Sequence, residues 1–300
     1  MFKKIIRYTK DPYYALGYDL IKKRPRWMSD EFYIKVLWKM LMGYKLDLKS
    51  PKTFNEKLQW LKLHDHNQLY TTLVDKYRVK QYVTDKIGAE HVIPTLAVYN
   101  NANEIDIDKL PDQFVLKCNH DSGSVVICRE KSTFDLEAAK LKLNTALHHN
   151  FYWDAREWSY KNVPPLVFAE KYMESSESPN HKDLLTYKFI CLGGNPEIMY
   201  ITVKNDDVWE NYYNMDFEPL NISRNFPRSV GPLDKPVSFS KMQDIAKELS
   251  KGFPQVRIDL YEVDGTVYFS EYTFYDWAGL IKFKPADWDD KLGDMIVLPK

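Results

Sequence analysis

Near its carboxyl end the chain carries two alternating stretches that a short turn can join into a β-hairpin. They are Val-Arg-Ile-Asp-Leu-Tyr-Glu-Val (256–263) and Val-Tyr-Phe-Ser-Glu-Tyr-Thr-Phe (267–274), with Asp264-Gly265 between them. An Asp-Gly pair is typical of a two-residue turn. Because side chains alternate between the two faces of a strand, the register of this hairpin decides which residues share a face.

The two carboxylates of the hairpin, Asp259 and Glu271, distinguish the registers. A two-residue turn would pair Glu271 with Ile258 and place the two acids on opposite faces. A three-residue loop over 264–266 instead pairs Asp259 with Glu271 and Arg257 with Thr273. Its other face is then apolar and suits packing against a helix: Val256, Ile258, Leu260, Tyr268, Tyr272 and Phe274. The hydrophobic alternation therefore favours the three-residue loop.

Two carboxylates that face each other repel unless a positive charge lies between them. A hard divalent cation such as Mg²⁺ takes oxygen ligands and usually keeps contact with substrate phosphates. The hairpin thus predicts either a Mg²⁺ site at Asp259 and Glu271 or a cross-strand salt bridge of Arg257 on a solvated face.

A second element is a strand that ends in Lys117 and continues into a loop of small polar residues, Cys-Asn-His-Asp-Ser-Gly-Ser. Amides and hydroxyls at Ser122, Gly123 and Ser124 can surround phosphate oxygens, with Lys117 as a point charge on them. The loop is not a Walker loop, because no Gly-Lys-Ser/Thr opens a helix. An ordinary polar hairpin turn explains the pattern equally well.

A third element, Val-Phe-Ala-Glu-Lys-Tyr-Met (167–173), is an apolar strand that continues into alternating polarity. A flat nucleobase needs an apolar slot with exposed backbone donors and acceptors, and this segment can supply both. A buried strand that ends in a loop gives the same pattern.

The order of elements along the chain indicates α+β architecture. Helical periodicity dominates residues 29–86, and strands mixed with helices follow. At the start of one helix, Thr53 is the predicted N-cap and Glu56 its capping-box partner.

Composition excludes several classes of protein. The 42 basic residues balance the 42 acidic ones, which argues against a nucleic-acid partner. No stretch reaches the roughly 18 apolar residues of a membrane span, and the start lacks the long apolar run of a secretory signal. Three cysteines without metal-ligand spacing suit a reducing cytosol. We therefore expect a cytoplasmic location.

Charge is uneven at the amino terminus, where residues 1–27 hold eight basic residues against two acidic ones, interleaved with apolar side chains. A basic amphipathic helix in peripheral contact with the inner face of the membrane explains this stretch. A solvated helical collar explains it as well.

Taken in order, these elements resemble the ATP-grasp superfamily, and most closely its TupA-like branch from gene clusters for bacterial surface polysaccharides and teichuronopeptide. The resemblance covers roughly residues 28–298. It rests on five loose motifs: Pro51-Lys-Thr-Phe-Asn-Glu-Lys-Leu-Gln-Trp, Asp75-Lys-Tyr-Arg-Val-Lys, Leu110-Pro-Asp-Gln-Phe-Val-Leu-Lys-Cys-Asn-His, Arg156-Glu-Trp-Ser-Tyr and Thr273-Phe-Tyr-Asp-Trp-Ala-Gly.

The resemblance implies an ATP-grasp fold, in which two α+β subdomains clasp ATP, with an N-terminal helical extension. The expected divisions are a helical region over 1–70, a first subdomain over 71–166 with a flap loop at 117–125, and a second subdomain over 167–300.

The resemblance also implies roles for individual residues, with ATP and Mg²⁺ as cofactors. The residues expected at the nucleotide are Lys76 and Lys117 on the phosphates, Ser122, Gly123 and Ser124 in the flap, Glu170, Lys171, Tyr172 and Met173 at the adenine, Asp183 at the ribose, and Lys188 on phosphate. Those expected at the metal are Asp259, Glu271 and Thr273, and those expected to be catalytic are Arg257 and Lys117.

Three positions depart from the pattern that the resemblance leads us to expect. Asp121 adds a negative charge beside the flap, and Thr186 replaces an acidic residue before Tyr-Lys-Phe. Thr273 stands where many members of the superfamily have a metal-binding Asn, although Thr is usual in this branch.

The implied activity is that of an ATP-dependent carboxylate–amine ligase that works through an acyl phosphate. The expected partners are a uronic acid of a surface glycan or nucleotide sugar and an amino acid or other amine. Arg156, Arg224 and Arg228 are candidates for the uronic-acid carboxylate, with a solvated surface as the alternative for each. A sugar kinase, a glycosyltransferase and a non-catalytic assembly protein remain alternative interpretations.

Overall fold

Helices dominate the amino-terminal part of the chain, which a computed structural model describes over residues 12–174, 184–204, 208–228, 231 and 233–299. The helices are α1 (Pro12–Lys23), α2 (Asp30–Met42), α3 (Phe54–His64), α4 (Leu69–Val74) and α5 (Val79–Ile87). The predicted capping box begins α3: the Glu56 amide donates to Thr53 Oγ1 at 3.2 Å, and the Thr53 amide donates to Glu56 Oε2 at 3.3 Å. The prediction of helices before strands is confirmed.

A four-stranded antiparallel sheet follows. Its strands are β1 (Thr95–Tyr99), β2 (Phe114–Cys118), β3 (Val126–Cys128) and β4 (Val167–Lys171), in the order β1-β4-β2-β3. Helices α6 (Leu136–Leu147) and α7 (Tyr152–Ala155) lie between β3 and β4 in the chain. The division after residue 166 stays a prediction. Since β4 pairs with both β1 and β2, the pairing favours a division after β4 instead.

The second sheet has six antiparallel strands. They are β5 (Thr186–Leu192), β6 (Asn195–Lys204), β7 (Val208–Tyr213), β8 (Pro219–Leu220), β9 (Gln255–Val263) and β10 (Thr266–Thr273), in the order β10-β9-β5-β6-β7-β8. Helix α8 (Phe239–Ser250) packs on this sheet through Met242, Ile245 and Leu249, all buried. Helix α9 (Asp287–Asp294) packs against α3. The resulting order places β9 between β5 and β10.

In the carboxyl-terminal hairpin the two acids face each other as predicted, but the turn and the register differ from the prediction. Asp259 lies opposite Glu271, as predicted, but the three-residue loop is wrong. The turn is the two-residue Asp264-Gly265, with φ of 49° and 76°, which matches the twist of the flanking strands. The register shifts between Phe269 and Glu271, where Ser270 forms a bulge that adds one residue to β10.

The bulge also changes the apolar face of the hairpin. Phe269, not Tyr268, lies opposite Leu260, and it is 5% exposed. Tyr268 pairs with Tyr261 and so belongs to the face of Asp259. Its predicted place on the helix-packed face was therefore wrong.

The basic amino-terminal stretch is described from Pro12 onward, and residues 1–11 lie outside the described residues. Helix α1 packs closely on α2 at Gly17, where a Cβ would lie 2.7 Å from Leu41 Cδ2. After α1, Arg24 Nε bonds Asp154 Oδ1 at 2.5 Å, and the Arg26 guanidinium lies 5.3 Å from the Trp153 ring centre. These two basic side chains thus contact α7. Within the described ranges, no helix has the length and apolar character to cross a membrane.

Candidate functional site

Four charged side chains meet on one face of the six-stranded sheet. Since β9 lies between β5 and β10, Lys188 and Glu271 both lie beside Asp259. Lys188 Nζ is 2.8 Å from Asp259 Oδ2. Arg257 donates to both oxygens of Asp259, at 2.6 and 2.8 Å, and to Glu271 Oε1 at 3.1 Å. Strand register alone therefore assembles residues that are up to 83 positions apart in the chain.

The guanidinium of Arg257 bridges the two facing acids. The cross-strand salt bridge that the sequence left open is thus present in the structure. Burial raises the pKa of Glu271, but the charges of Lys76, Arg257 and Lys188 outweigh it and lower that pKa to about 2. Glu271 is therefore ionised at neutral pH and available as an oxygen ligand.

The same two acids fit Mg²⁺ by their chemistry, since the ion prefers carboxylate, phosphate and water oxygens. Among the residues that the structure describes, no group of three or more His, Cys, Asp or Glu could hold a metal. A Mg²⁺ ion here would complete its shell with ligand and water oxygens. Thr273 lies opposite Arg257, and its part in a metal site stays a prediction.

Behind Arg257 lies a fully buried acid that the sequence reasoning missed, Asp276. Its Oδ1 accepts from Arg257 Nη1 at 2.6 Å and from the Tyr200 hydroxyl at 2.8 Å. Its other oxygen pairs with Arg224. Burial raises the pKa of Asp276, but the two guanidinium groups outweigh it and lower the pKa well below its ordinary value. The motif Thr273-Phe-Tyr-Asp contained the residue but gave no sign of its partners.

The Asp276 carboxylate also helps to keep the Arg257 guanidinium protonated. Burial alone would lower the pKa of this guanidinium, but Asp259, the Tyr200 hydroxyl and Asp276 raise it well above its ordinary value. Arg257 therefore carries a permanent charge that is held from both sides.

Side chains of α3 hold the loop that follows Asp276. Gln59 Nε2 donates to the carbonyls of Ala278 and Gly279 at 3.0 and 2.9 Å, and Lys62 Nζ donates to that of Ala278 at 2.7 Å. Trp277 and Ala278 have φ of 51° and 54°, a strained conformation for residues with side chains. The motif that begins at Pro51 thus contributes the support of this loop.

A second charged cluster lies at the four-stranded sheet. Glu170 binds Lys117 through one oxygen and Lys80 through the other, the latter at 2.6 Å. Lys80 also donates to the Ile93 carbonyl and to Thr95 Oγ1, each at 2.8 Å. Sequence reasoning missed Lys80, although it lies only four residues after Lys76. The Glu170 carboxylate is therefore a counter-ion for two lysines. Its backbone lies between β1 and β2, opposite Thr95 and Val115, and its part in an adenine hinge stays a prediction.

The charges of this cluster reinforce one another. Burial raises the pKa of Glu170, but Lys117 and Lys80 outweigh it and lower that pKa. Burial lowers the pKa of Lys80. For Lys117 the attraction of Glu170 outweighs burial and raises the pKa. Lys117 is therefore charged at neutral pH, as a phosphate ligand must be.

Lys76 joins the small-residue loop after β2 to the hairpin. Its Nζ bonds the carbonyl of Asp121 and lies 3.7 Å from Glu271 Oε2. Asp121 is 7% exposed, and its carboxylate accepts from Ser124 Oγ at 2.6 Å. Gly123 has a φ of 112°, which favours glycine. Asp121, which departs from the expected flap pattern, therefore stabilises the conformation of the loop through its hydrogen bond with Ser124.

The remaining predicted residues are placed as follows. Lys171 and Tyr172 follow one another at the end of β4, with Arg129 5.8 Å from the Tyr172 ring centre, and Met173 comes next. Ser122 is exposed at the tip of the flap loop. Asp183, the candidate for the ribose, lies outside the described residues.

Of the three arginines considered for an acceptor carboxylate, two are buried and engaged. Arg224 is paired with Asp276, and Arg156, which is 1% exposed, lies 3.1 Å from Asp30 Oδ1. Arg228 is exposed and donates to Asn221 Oδ1 at 3.0 Å. Arg156 and Arg224 therefore stabilise the protein interior.

The family model described as TupA-like ATPgrasp matches residues 56–297. No curated protein matches the chain. Among solved structures, it is similar to the D-alanine–D-alanine ligase of Bacillus anthracis complexed with ATP (16% identity, 77% of this chain and 67% of that one, TM-score 0.43). It is also similar to the L-amino acid ligase of Bacillus licheniformis (12% identity, 85% of this chain and 57% of that one, TM-score 0.43). A third similar structure is a RimK domain protein of Sphaerobacter thermophilus (11% identity, 76% of this chain and 69% of that one, TM-score 0.41).

Proposed function

The chain belongs to the TupA-like ATP-grasp family, and from that premise we propose how its charged network works as an ADP-forming ligase. The predicted ATP-grasp fold and the ligase class follow from this membership. ATP and Mg²⁺ are the cofactors of such enzymes. The observation that carries the proposal is Arg257, held between Asp259 and Glu271 on one side and bonded to Asp276 on the other.

In the proposed reaction, a substrate carboxylate attacks the γ-phosphorus of ATP, and the bond to ADP breaks. The amine then attacks the acyl carbon of the resulting acyl phosphate and releases inorganic phosphate, so that an amide forms. Bound Mg²⁺ would neutralise phosphate charge during the first step. Asp259 and Glu271 are its proposed ligands, together with Thr273.

The cationic side chains stabilise the charge that develops on the phosphoryl oxygens. Arg257 is the proposed contact to the transferred group, and Lys76, Lys117 and Lys188 are those to the phosphates. Such preorganised contacts are each worth on the order of 3 kcal/mol in the transition state. The loop at 117–125 would exclude water from the acyl phosphate, since Lys76 already ties the Asp121 carbonyl toward Glu271.

The proposed substrates are a uronic-acid carboxylate of a surface polysaccharide, or of its nucleotide-sugar precursor, and an amino acid or other amine. A cytoplasmic location is part of this proposal, because the enzyme consumes ATP. Contact of residues 1–27 with the inner face of the membrane stays a prediction.

The test is ADP release by the purified full chain with Mg²⁺-ATP and pairs of uronic acids and amines. Addition of hydroxylamine in place of the amine should trap the acyl phosphate as a hydroxamate. ADP release with a phosphorylated sugar and no hydroxamate would mean a sugar kinase. Nucleotide-sugar consumption without ADP release would mean a glycosyltransferase. Either outcome would end the ligase proposal.

A further inference from the structure

A cleft of about 450 Å³ lies beside the flap loop. One wall is the flap itself, through Asp121, Gly123 and Ser124, and the opposite walls are α6 and the segments next to α1 and α7. Its volume is in the range of roughly 300–1,000 Å³ that small-molecule sites occupy. The cleft is separate from the Arg257 network, since its lining shares no residue with that network.

The lining of the cleft is positively charged. Arg24, Arg26 and Lys142 contribute permanent cations, and His148 and His149 also line it, against the carboxylate of Asp121. That acid bonds Ser124 and is buried, so it leaves the cationic groups to dominate the opening.

Two of the cations are available to a ligand. Arg24 is bonded to Asp154 at 2.5 Å. Arg26 and Lys142 are exposed, and among the described residues neither forms an ion pair. Lys142 Nζ donates to the Val125 carbonyl at 2.8 Å, which holds it beside the end of the flap loop without neutralising it. Uncompensated cations in a concave site attract an anion.

The other lining groups narrow the class of anion. Trp153 provides a half-buried aromatic ring, which Arg26 approaches to 5.3 Å, and Thr145 and Asn150 provide a hydroxyl and an amide group that are not fully buried. A sugar that carries a carboxylate matches all three features, since it presents an anion, several hydroxyls and an apolar ring face. An acidic peptide matches only the charge.

The flap connects the cleft to the site of phosphoryl transfer. Lys76 bonds the Asp121 carbonyl and lies 3.7 Å from Glu271 Oε2, so two contacts lead from the cleft wall to the hairpin. Arg24 and Arg26 precede the matched region, which begins at residue 56. The cleft therefore combines the shared flap with side chains from the amino-terminal part of this chain.

From these observations, we propose that the cleft binds an acidic oligosaccharide segment of the acceptor. Arg26 and Lys142 contact its carboxylates while the reacting end reaches under the flap. This inference rests on the ligase function proposed above, because the acceptor proposed there carries uronic-acid carboxylates.

The test measures direct binding by calorimetry, without ATP, so that it does not depend on catalysis. The probe is a tetramer of galacturonic acid, and a neutral maltotetraose and a tetraglutamate are the comparison ligands. The wild-type protein should bind the galacturonate tetramer, more weakly at higher salt, and should not bind maltotetraose. The Arg26→Ala/Lys142→Ala variant should bind it about tenfold more weakly, since each exposed charge contact is modest.

Two further variants separate charge from structure. Arg26→Lys/Lys142→Arg keeps both charges and should retain binding. Lys140→Ala removes a lysine from the same helix that does not line the cleft, and it should bind as the wild type does. The affinity for Mg²⁺-ATP should be the same in all variants.

Absence of galacturonate binding by the wild type, or equal binding by the double alanine variant, would overturn the proposal. Tetraglutamate bound as tightly as the galacturonate tetramer would overturn the sugar assignment. A parallel loss of ATP affinity in the double variant would show that these residues serve the flap instead. ADP release, measured separately, decides the ligase function itself. Galacturonate binding without ADP release would support the cleft as a binding site and would contradict the proposed ligase reaction.

Discussion

Replacement of Asp276 by Asn tests whether a buried carboxylate behind the site holds Arg257. The substitution keeps the shape of the side chain and removes its charge. Asp276 accepts from Arg257 at 2.6 Å and from Tyr200 at 2.8 Å, and it pairs with Arg224. Among the described residues, Arg224 Nε and Nη2 are buried without a hydrogen-bond partner. The ion pair with Asp276 therefore provides most of the compensation for the buried charge of Arg224.

The expected loss follows from the two guanidinium groups that would stay buried. Removal of one partner from a buried ion pair costs about 3–5 kcal/mol of the free energy of unfolding. The matched control is Asp287→Asn, which breaks a 2.7 Å pair with Lys291 in which both side chains are 54% exposed. That change should cost far less, because an ion pair between solvent-exposed side chains contributes little to stability. Urea unfolding followed by tryptophan fluorescence compares the three proteins.

The pH dependence provides an independent check. Because the pKa of Asp276 is lowered in the folded protein, its contribution to stability is complete above the ordinary aspartate pKa and is lost as the pH falls through the folded-state pKa. The difference between the wild type and Asp276→Asn should be constant above about pH 5 and should shrink below about pH 4. The reasoning would be refuted if Asp276→Asn lowered the free energy of unfolding no more than Asp287→Asn does. It would also be refuted if the difference in that free energy between the wild type and Asp276→Asn did not shrink in acid.

Three other changes test the remaining parts of the site. Glu271→Gln should lower Mg²⁺-dependent ATP turnover by about 10²–10³-fold with an unchanged circular dichroism spectrum, and retained turnover would remove Glu271 from the proposed metal site. Lys117→Ala should weaken ATP binding by about tenfold or more, and equal affinity in a fluorescent-nucleotide titration would contradict its phosphate role. Gly279→Ala should destabilise the protein by about 1–3 kcal/mol more than Gly193→Ala. Both glycines have positive φ, at 60° and 56°, but of the two only Gly279 would bring its new Cβ into a clash, with Gln59 Nε2 and at 2.9 Å from Leu58 Cβ. Equal thermal denaturation of the two variants would contradict the clash.

The hairpin shows both the reach and the limit of sequence reasoning. Alternation of polar and apolar residues correctly predicted that Asp259 and Glu271 face each other. One extra residue can enter such a hairpin in its turn or as a bulge, and both give the same register beyond that point. The pattern therefore predicted the facing of the acids but misplaced Tyr268, which lies between the turn and the bulge.

Lys80 and Asp276 were missed by sequence reasoning for the same physical reason: their partners lie far away along the chain. Lys80 pairs with Glu170 across 90 positions, and Arg224 pairs with Asp276 across 52. No local periodicity links such residues, and each alone resembles an ordinary surface charge. The sequence likewise offers Arg156 and Arg224 as candidate ligand contacts, although both are buried.

Local order in the chain was thus enough to determine the capping box, the succession of helices and strands, and the shared face of the two hairpin acids, because each depends on neighbours along the backbone. Tertiary structure alone decided which cation neutralises which acid. Those partners meet only after the sheets form, and burial then strengthens their attraction enough to set the charge state of Arg257 and Glu271.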